Sequence, residues 1–273
     1  MSSTTAMPAD SASSRPQSNA SQSPGASAKL QPKEHGAYAI LGIPMVTALV
    51  IAGPSVPGWC VVGASIAGFL AHEPLLVAAG HRGQRAKRAT PAARGQLVAL
   101  LGIATACGLI ALFTGSNAVR LALAACALMA VSSFALGLNG QHRTLAGQMW
   151  GVVGLSIPCV PILLAGGVVP VHAFAVWSTW LIGFGATTMA VRGVIAAQKR
   201  RSKILHWSCL IAFSLLTGVL IAVGHSLAIT VVPMLVMSVY LLLYPPPARH
   251  LKRVGWTLVG GTVASAAWMI VIA

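Results

Sequence analysis

Nine apolar segments of about twenty residues each follow one another along the chain, separated by short polar or Gly/Pro-containing breaks. A helix needs about this length to cross the hydrocarbon layer, and lipid offers no partners to backbone groups outside a helix or a closed barrel. A barrel would instead show alternating segments about half as long. The pattern predicts an all-α, polytopic membrane bundle of about nine transmembrane helices, placed at about 36–53, 57–80, 96–115, 118–138, 146–168, 172–197, 205–223, 226–244 and 254–273.

The first 32 residues form a different region. They are rich in Ser, Ala, Pro and Gln and contain no apolar run, which predicts a disordered cytoplasmic tail. The region is too long and too polar for the start of a signal peptide, so we expect no cleavage. The predicted organisation is therefore a tail over 1–32 and a nine-helix transmembrane domain over 33–273.

The fifth apolar segment carries two prolines three residues apart, Pro158 and Pro161. Proline removes a backbone donor and kinks a helix, and membrane helices tolerate it where neighbouring groups satisfy the freed carbonyls. We predict a bent helix beside a cavity here.

Composition excludes a soluble protein. Of the 273 residues, 56% are hydrophobic and 8% are charged, whereas a soluble domain carries charge on about a quarter of its residues. No nucleotide-binding loop, zinc-ligand spacing or catalytic-triad order is discernible. We therefore expect no metal and no cofactor, and the sequence leaves open whether the protein is an enzyme.

The net charge of +15 follows membrane topology rather than nucleic-acid binding, because the basic residues sit in short runs between apolar segments. With the amino terminus inside, sixteen of the eighteen fall on the inner side. This asymmetry predicts a bacterial inner-membrane protein with a cytoplasmic amino terminus and a periplasmic or extracellular carboxyl terminus. Membrane lipid is the expected partner, nucleic acid is not, and the oligomeric state is not indicated.

Acidic residues are scarce, since the chain has only Asp10, Glu34 and Glu73. Glu73 in the second segment and Arg192 in the sixth fall at about the same depth from the inner side. An ionisable group in a span is costly and usually faces protein or a water-filled cavity. We predict a Glu73–Arg192 ion pair or a shared water-filled pocket. The alternative is that Arg192 extends to the interface while Glu73 binds a backbone or histidine partner.

Other polar side chains cluster at the inner ends of the segments, several of them beside histidine. Together they predict a polar, inward-facing site, although each alone could be a solvated interfacial residue. The candidate ligand-binding residues are Glu34, His35, His72, Glu73, His81, Arg82, Asn139, His142, Arg143 and Arg192. No catalytic residue is assigned.

Two stretches resemble the YwiC-like family of bacterial membrane proteins. They are Lys33-Glu34-His35-Gly36-Ala37-Tyr38-Ala39-Ile40-Leu41-Gly42-Ile43-Pro44, and Ala71-His72-Glu73-Pro74-Leu75-Leu76 followed by a basic loop. The resemblance covers most of the chain after residue 32. It implies a membrane protein and no particular activity.

A second resemblance, at the level of architecture, is to the UbiA-type prenyltransferases. In that family nine helices surround a cytoplasm-facing cavity, with reactive motifs at the inner ends of the second and sixth helices, where Glu73 and Arg192 fall. The stretch from His142-Arg143-Thr144 to Pro158 is also similar in pattern. Those enzymes, however, hold magnesium diphosphate through two aspartate clusters, whereas this chain has one acid in the second motif and none over 187–192. Magnesium-dependent prenyl transfer is therefore not expected.

The resulting functional expectation is a UbiA-like bundle whose cytoplasm-facing cavity binds a small anionic or lipid-like ligand, such as an isoprenoid. Arg143 and Arg192 would donate to its anionic group, and Glu73 with a nearby histidine could exchange protons. Two alternatives remain open. One is a small-molecule transporter or proton-coupled carrier, and the other is a non-catalytic membrane subunit or partner.

Overall fold

The computed structural model describes residue 30 and residues 35–141, 144–247 and 251–273, with the backbone alone at 35 and 251–253. The tail predicted over 1–32 therefore lies outside the described residues, apart from residue 30. The helices are α1 (His35–Ala52), α2 (Val56–Ala78), α3 (Gln84–Ala89), α4 (Ala92–Thr114), α5 (Asn117–Leu138), α6 (Leu145–Ser156), α7 (Cys159–Ala165), α8 (Pro170–Gln198), α9 (Ile204–Ala222), a 3₁₀ helix (Ser226–Val231), α10 (Val232–Leu243) and α11 (Leu251–Ile272).

The helices confirm the predicted all-α membrane bundle. In the described part of the chain, eight helical stretches are long and apolar enough to cross a membrane, and each coincides with a predicted segment. The remaining segment is α1, an apolar helix of 18 residues and about 27 Å, slightly short of the hydrocarbon thickness. The short helix α3, in the basic loop after the second segment, was not predicted.

Side-chain caps explain several helix starts. The hydroxyl of Ser55 accepts the Gly58 N–H at 3.2 Å, and that of Thr144 accepts the Gly147 N–H at 3.0 Å. Ser116 caps α5 in the same way. These contacts satisfy amide groups that the helix leaves without partners, and they place the boundaries close to those indicated by hydropathy.

The fifth span is broken. Helix α6 ends at Ser156 and α7 begins at Cys159, with Pro158 between them. All residues from 156 to 163 are buried, and α7 packs against α1, α2, α5 and α8. The Ser156 hydroxyl donates to the Val152 carbonyl and accepts the Trp177 indole N–H, which fastens the break to α8. The interruption of the helix at Pro158 is shown, and the predicted bend and the cavity beside it stay predictions.

One end of the bundle carries most of the described Lys and Arg side chains, and we call it the basic end. Its described connections are 79–91, 139–141, 199–203 and 244–247. Contacts between these connections and the neighbouring helix ends bring them together, for example Gln198 Nε2 donating to the Pro246 carbonyl and Lys203 Nζ to the Leu242 carbonyl. Arg120, in contrast, lies near the opposite end and donates to the Leu112 carbonyl.

Candidate functional site

Glu73, on α2, is the charged residue most deeply buried among those described, with 5% of its surface exposed. Its Oε2 accepts a hydrogen bond from Arg82 Nη2 at 2.8 Å, and its Oε1 lies 2.7 Å from the same nitrogen in an ion pair. The Arg82 side chain itself remains 38% exposed. The pair therefore joins a buried anion to a cation that keeps part of its hydration, which lowers the cost of holding the carboxylate inside the protein.

A turn at the end of α2 brings Arg82 back to Glu73. Gly80, with a φ of +86°, donates its N–H to the Val77 carbonyl, and His81 donates its N–H to the Leu76 carbonyl. This is the Schellman arrangement, which favours glycine at the left-handed position and reverses the chain direction. The reversal lets the arginine reach a residue nine positions earlier.

His72 is on α2, and its ring contacts α5. Its ring is stacked against Phe134, with centroids 5.9 Å apart and planes inclined by 22°. The space beside the ring exists because residue 137 is glycine, since a Cβ at Gly137 would lie 2.8 Å from His72 Nε2. Contacts with Phe134 and Gly137 therefore fix the position of the His72 imidazole, one residue before Glu73.

Arg192 lies on α8, six residues before its end and thus about 9 Å from it. Its Nη1 donates to Gln148 Oε1 on α6 at 2.8 Å. His206 on α9 packs against Gly193, and its Nδ1 is buried with no hydrogen-bond partner among the described residues. This second polar cluster, Gln148, Arg192 and His206, joins three helices near the basic end.

The two clusters are separate, and the predicted Glu73–Arg192 ion pair is wrong. Glu73 is bound by Arg82, whereas Arg192 is bound by Gln148. The physical reason is that α8 packs mainly on α6, α7, α9 and α10 rather than on α2, while the turn after α2 supplies a nearer cation for Glu73. The alternative of a histidine or backbone partner for Glu73 stays a prediction. The shared pocket stays a prediction.

The remaining candidate residues are placed only in part. His81 is exposed in the turn after α2, and Asn139 is exposed at the end of α5. His35 begins α1, but its side chain is outside the described part of the chain. Glu34, His142 and Arg143 also lie outside it. That these residues face one cavity stays a prediction.

Sequence reasoning missed Gln148 and His206. Neither residue is rare in the chain, and neither belongs to a recognisable motif. The position of Gln148, one helical turn into the fifth span and at the same end of the bundle as Arg192, is the one feature of the sequence that could have indicated this contact. Over the ranges that the structure covers, no three His, Cys, Asp or Glu side chains come together as metal ligands.

Comparison with known proteins gives one match. The model of the YwiC-like protein family matches residues 31–163, from just before α1 into α7. No curated protein matches, and no solved structure matches, so the UbiA-like arrangement stays a prediction. The match includes both stretches on which the resemblance rests. It confirms the resemblance that those stretches indicate, and the chain is an integral membrane protein that is YwiC-like over residues 31–163.

Proposed function

We propose that this membrane protein binds a small anionic or lipid-like ligand, such as an isoprenoid with an anionic group, at the basic end of its bundle. Arg192 receives the anionic group. The observation that carries the proposal is the hydrogen bond from Arg192 to Gln148, because it holds a membrane-embedded arginine in place without neutralising its charge.

The charge inventory supports this role. The chain has three acids, and Glu73, the one within the described residues, is already bound by Arg82. Arg192 is half-buried and has no carboxylate partner in the described part of the chain. An arginine in a span that lacks a protein counter-ion favours an anion from outside, because charge-assisted hydrogen bonds strengthen where water is scarce.

The geometry also suits an oriented ligand. A guanidinium has five N–H donors in a rigid plane, and Gln148 occupies one of them. The remaining donors can bind a carboxylate or phosphate in a two-point arrangement. Glu73 has a different role in this proposal. Its carboxylate oxygens are held by Arg82, so it stabilises the turn and carries no proton transfer.

Variants of Arg192 test the proposal. We expect Arg192→Ala to lose the anionic compound that co-purifies with the wild type by about tenfold or more, because the main charged donor is gone. Arg192→Lys should retain part of the binding, and Gln148→Ala should weaken it. The measurement is mass spectrometry of small molecules bound to protein purified in mild detergent.

The matched control is Arg201→Ala, which removes the same charge from an exposed position at the same end of the bundle. An identical ligand profile for the wild type, Arg192→Ala and Arg201→Ala would contradict the proposal. Equal losses in both variants would do so as well, because they would indicate a general effect of charge.

The orientation is a second part of the proposal. The basic end faces the cytoplasm of a bacterial inner membrane, as the excess of Lys and Arg at this end favours. With α1 crossing the membrane there are nine crossings, so the termini lie on opposite sides. If α1 does not cross, the eight remaining spans put both termini on one side.

Reporter fusions distinguish these cases. We expect alkaline phosphatase fused after Ala273 to be active and green fluorescent protein at the same position to be dark, because the carboxyl terminus is outside. A fluorescent protein fused before Met1 should be bright. Bright fluorescence at the carboxyl terminus would contradict a cytoplasmic basic end. A dark fluorescent protein before Met1, together with an active phosphatase after Ala273, would contradict the crossing of α1.

A further inference from the structure

A cleft of about 350 Å³ opens at the basic end where α2, α3 and α4 meet. Its volume lies within the roughly 300–1,000 Å³ typical of ligand sites. The lining divides into basic side chains and an apolar wall. The lining residues are Val77, Ala78, Lys87, Arg88, Thr90, Pro91, Ala93 and Arg94.

From this cleft we propose a binding site for the phosphate headgroup of an anionic phospholipid from the surrounding bilayer. Three cations, Lys87, Arg88 and Arg94, line one small volume, and no carboxylate neutralises them among the described residues, where Glu73 is bound by Arg82. Basic pockets beside membrane helices at the cytoplasmic side attract anionic headgroups.

The local backbone adds to the attraction. Helix α4 begins at Ala92, with no side-chain cap, and both Pro91 and Ala93 line the cleft. Pro91 has no N–H and the Ala93 N–H donates to the Thr90 carbonyl, so the contribution of the backbone is the partial positive charge of the helix start, which favours a negative group nearby. Lys87 and Arg88 are in the last turn of α3, and both line the cleft next to the start of α4.

The position of the cleft favours a lipid over a free anion. Its apolar wall includes Val77 and Pro91, and it continues into α4, of which Val98 and Leu101 are exposed. Almost none of α4 is buried in the protein, so its outer face contacts the bilayer. A headgroup in the cleft can therefore keep its acyl chains in lipid along α4.

This site is distinct from the one proposed at Arg192. The cleft is on the hairpin of α2 and α4, and α4 packs on α2 and α5. Arg192 is on α8 and binds Gln148 on α6. Loss of one site is therefore expected to leave the other intact.

The test compares two triple variants that remove the same charge. The cleft variant combines Lys87→Gln, Arg88→Gln and Arg94→Gln, and the control combines Lys199→Gln, Arg200→Gln and Arg201→Gln in the turn between α8 and α9. Binding of phosphatidylglycerol and of zwitterionic phosphatidylcholine to the full chain is measured by native mass spectrometry. We expect the preference for phosphatidylglycerol to fall by about tenfold or more in the cleft variant and to persist in the control and in Arg192→Ala.

Each other outcome overturns the proposal. If both triple variants lose the preference for phosphatidylglycerol equally, the preference comes from the overall positive charge of this end of the bundle. If the cleft variant keeps the preference, the lipid binds at a different site. Displacement of phosphatidylglycerol by millimolar inorganic phosphate would indicate a free-anion site instead of a lipid site. If the triple variant does not fold, the single variants Arg88→Gln and Arg94→Gln decide, because both side chains are exposed and are expected to be tolerated.

Discussion

Arg82→Gln is expected to lower the unfolding temperature of the purified protein by about 5–10 °C, one of the two largest effects that the structure predicts. The substitution removes the cation that binds both oxygens of Glu73. Glu73 is buried, so its charge would remain inside the protein without a partner. Loss of one member of such a pair costs about 2–3 kcal/mol when the lost member was partly exposed, as Arg82 is.

The opposite substitution, Glu73→Gln, is expected to cost about 1 kcal/mol or less. Here the unpaired group would be Arg82, which is partly exposed and can bind water. The double variant Glu73→Gln with Arg82→Gln should therefore be more stable than Arg82→Gln alone. This asymmetry comes from burial, and a purely steric effect of the arginine would not produce it.

Thermal unfolding in mild detergent, followed by size-exclusion chromatography with tryptophan fluorescence, measures all three variants. Arg85→Gln is the control, because Arg85 is an exposed arginine in the same region without an ion pair in the described part of the chain. If Arg82→Gln and Arg85→Gln unfold at the same temperature, the ion pair does not stabilise the protein. If the double variant is no more stable than Arg82→Gln, the charge of Glu73 is not the cause.

Span positions could be predicted from the sequence because hydropathy and caps act locally. Eight of the nine apolar segments are long enough to specify a membrane helix, and Ser55, Ser116 and Thr144 cap helix starts through their own side chains. The interruption at Pro158 is local too, since proline lacks the donor that a continuous helix needs.

The partners of buried polar residues could not be predicted in the same way. Membrane helices are apolar on most sides, so hydropathy does not show which face of α2 or α8 points to which neighbour. Depth alone suggested that Glu73 and Arg192 meet. The actual partner of Glu73 depends on the turn at Gly80 and the reach of Arg82, and that of Arg192 depends on the packing of α6 against α8.

The scarcity of charged residues within the spans pointed to Glu73 and Arg192, but it did not indicate what each of them binds. Glu73 is the sole acid in the described spans, where it is buried and bound by the cation Arg82. Arg192 is in a span as well, and its neutral partner Gln148 has no unusual feature in the sequence. The basic loop after α2 was interpreted only as a topology signal, because a cleft is formed by α3 and the start of α4 in three dimensions.

A comparably large effect is expected for Gly166→Ala, where the ends of α7 and α1 meet. A Cβ at Gly166 would overlap the Cβ and the carbonyl group of Ala52, the last residue of α1. Backbone atoms cannot rotate away as a side chain can, so the two helix ends would have to separate. Overpacking of this kind costs up to about 3 kcal/mol, or roughly 6–12 °C in unfolding temperature for a chain of this size.

Gly218→Ala provides the matched control for this prediction. Gly218 is exposed within α9, and an added Cβ there would have no neighbour within 4 Å. Since alanine favours helix over glycine by up to about 1 kcal/mol, this variant should unfold at the same temperature as the wild type or slightly above it. Thermal unfolding in detergent measures both variants. Equal unfolding temperatures for Gly166→Ala and Gly218→Ala would contradict a close contact between α7 and α1, because the contact is the feature that distinguishes the two glycines.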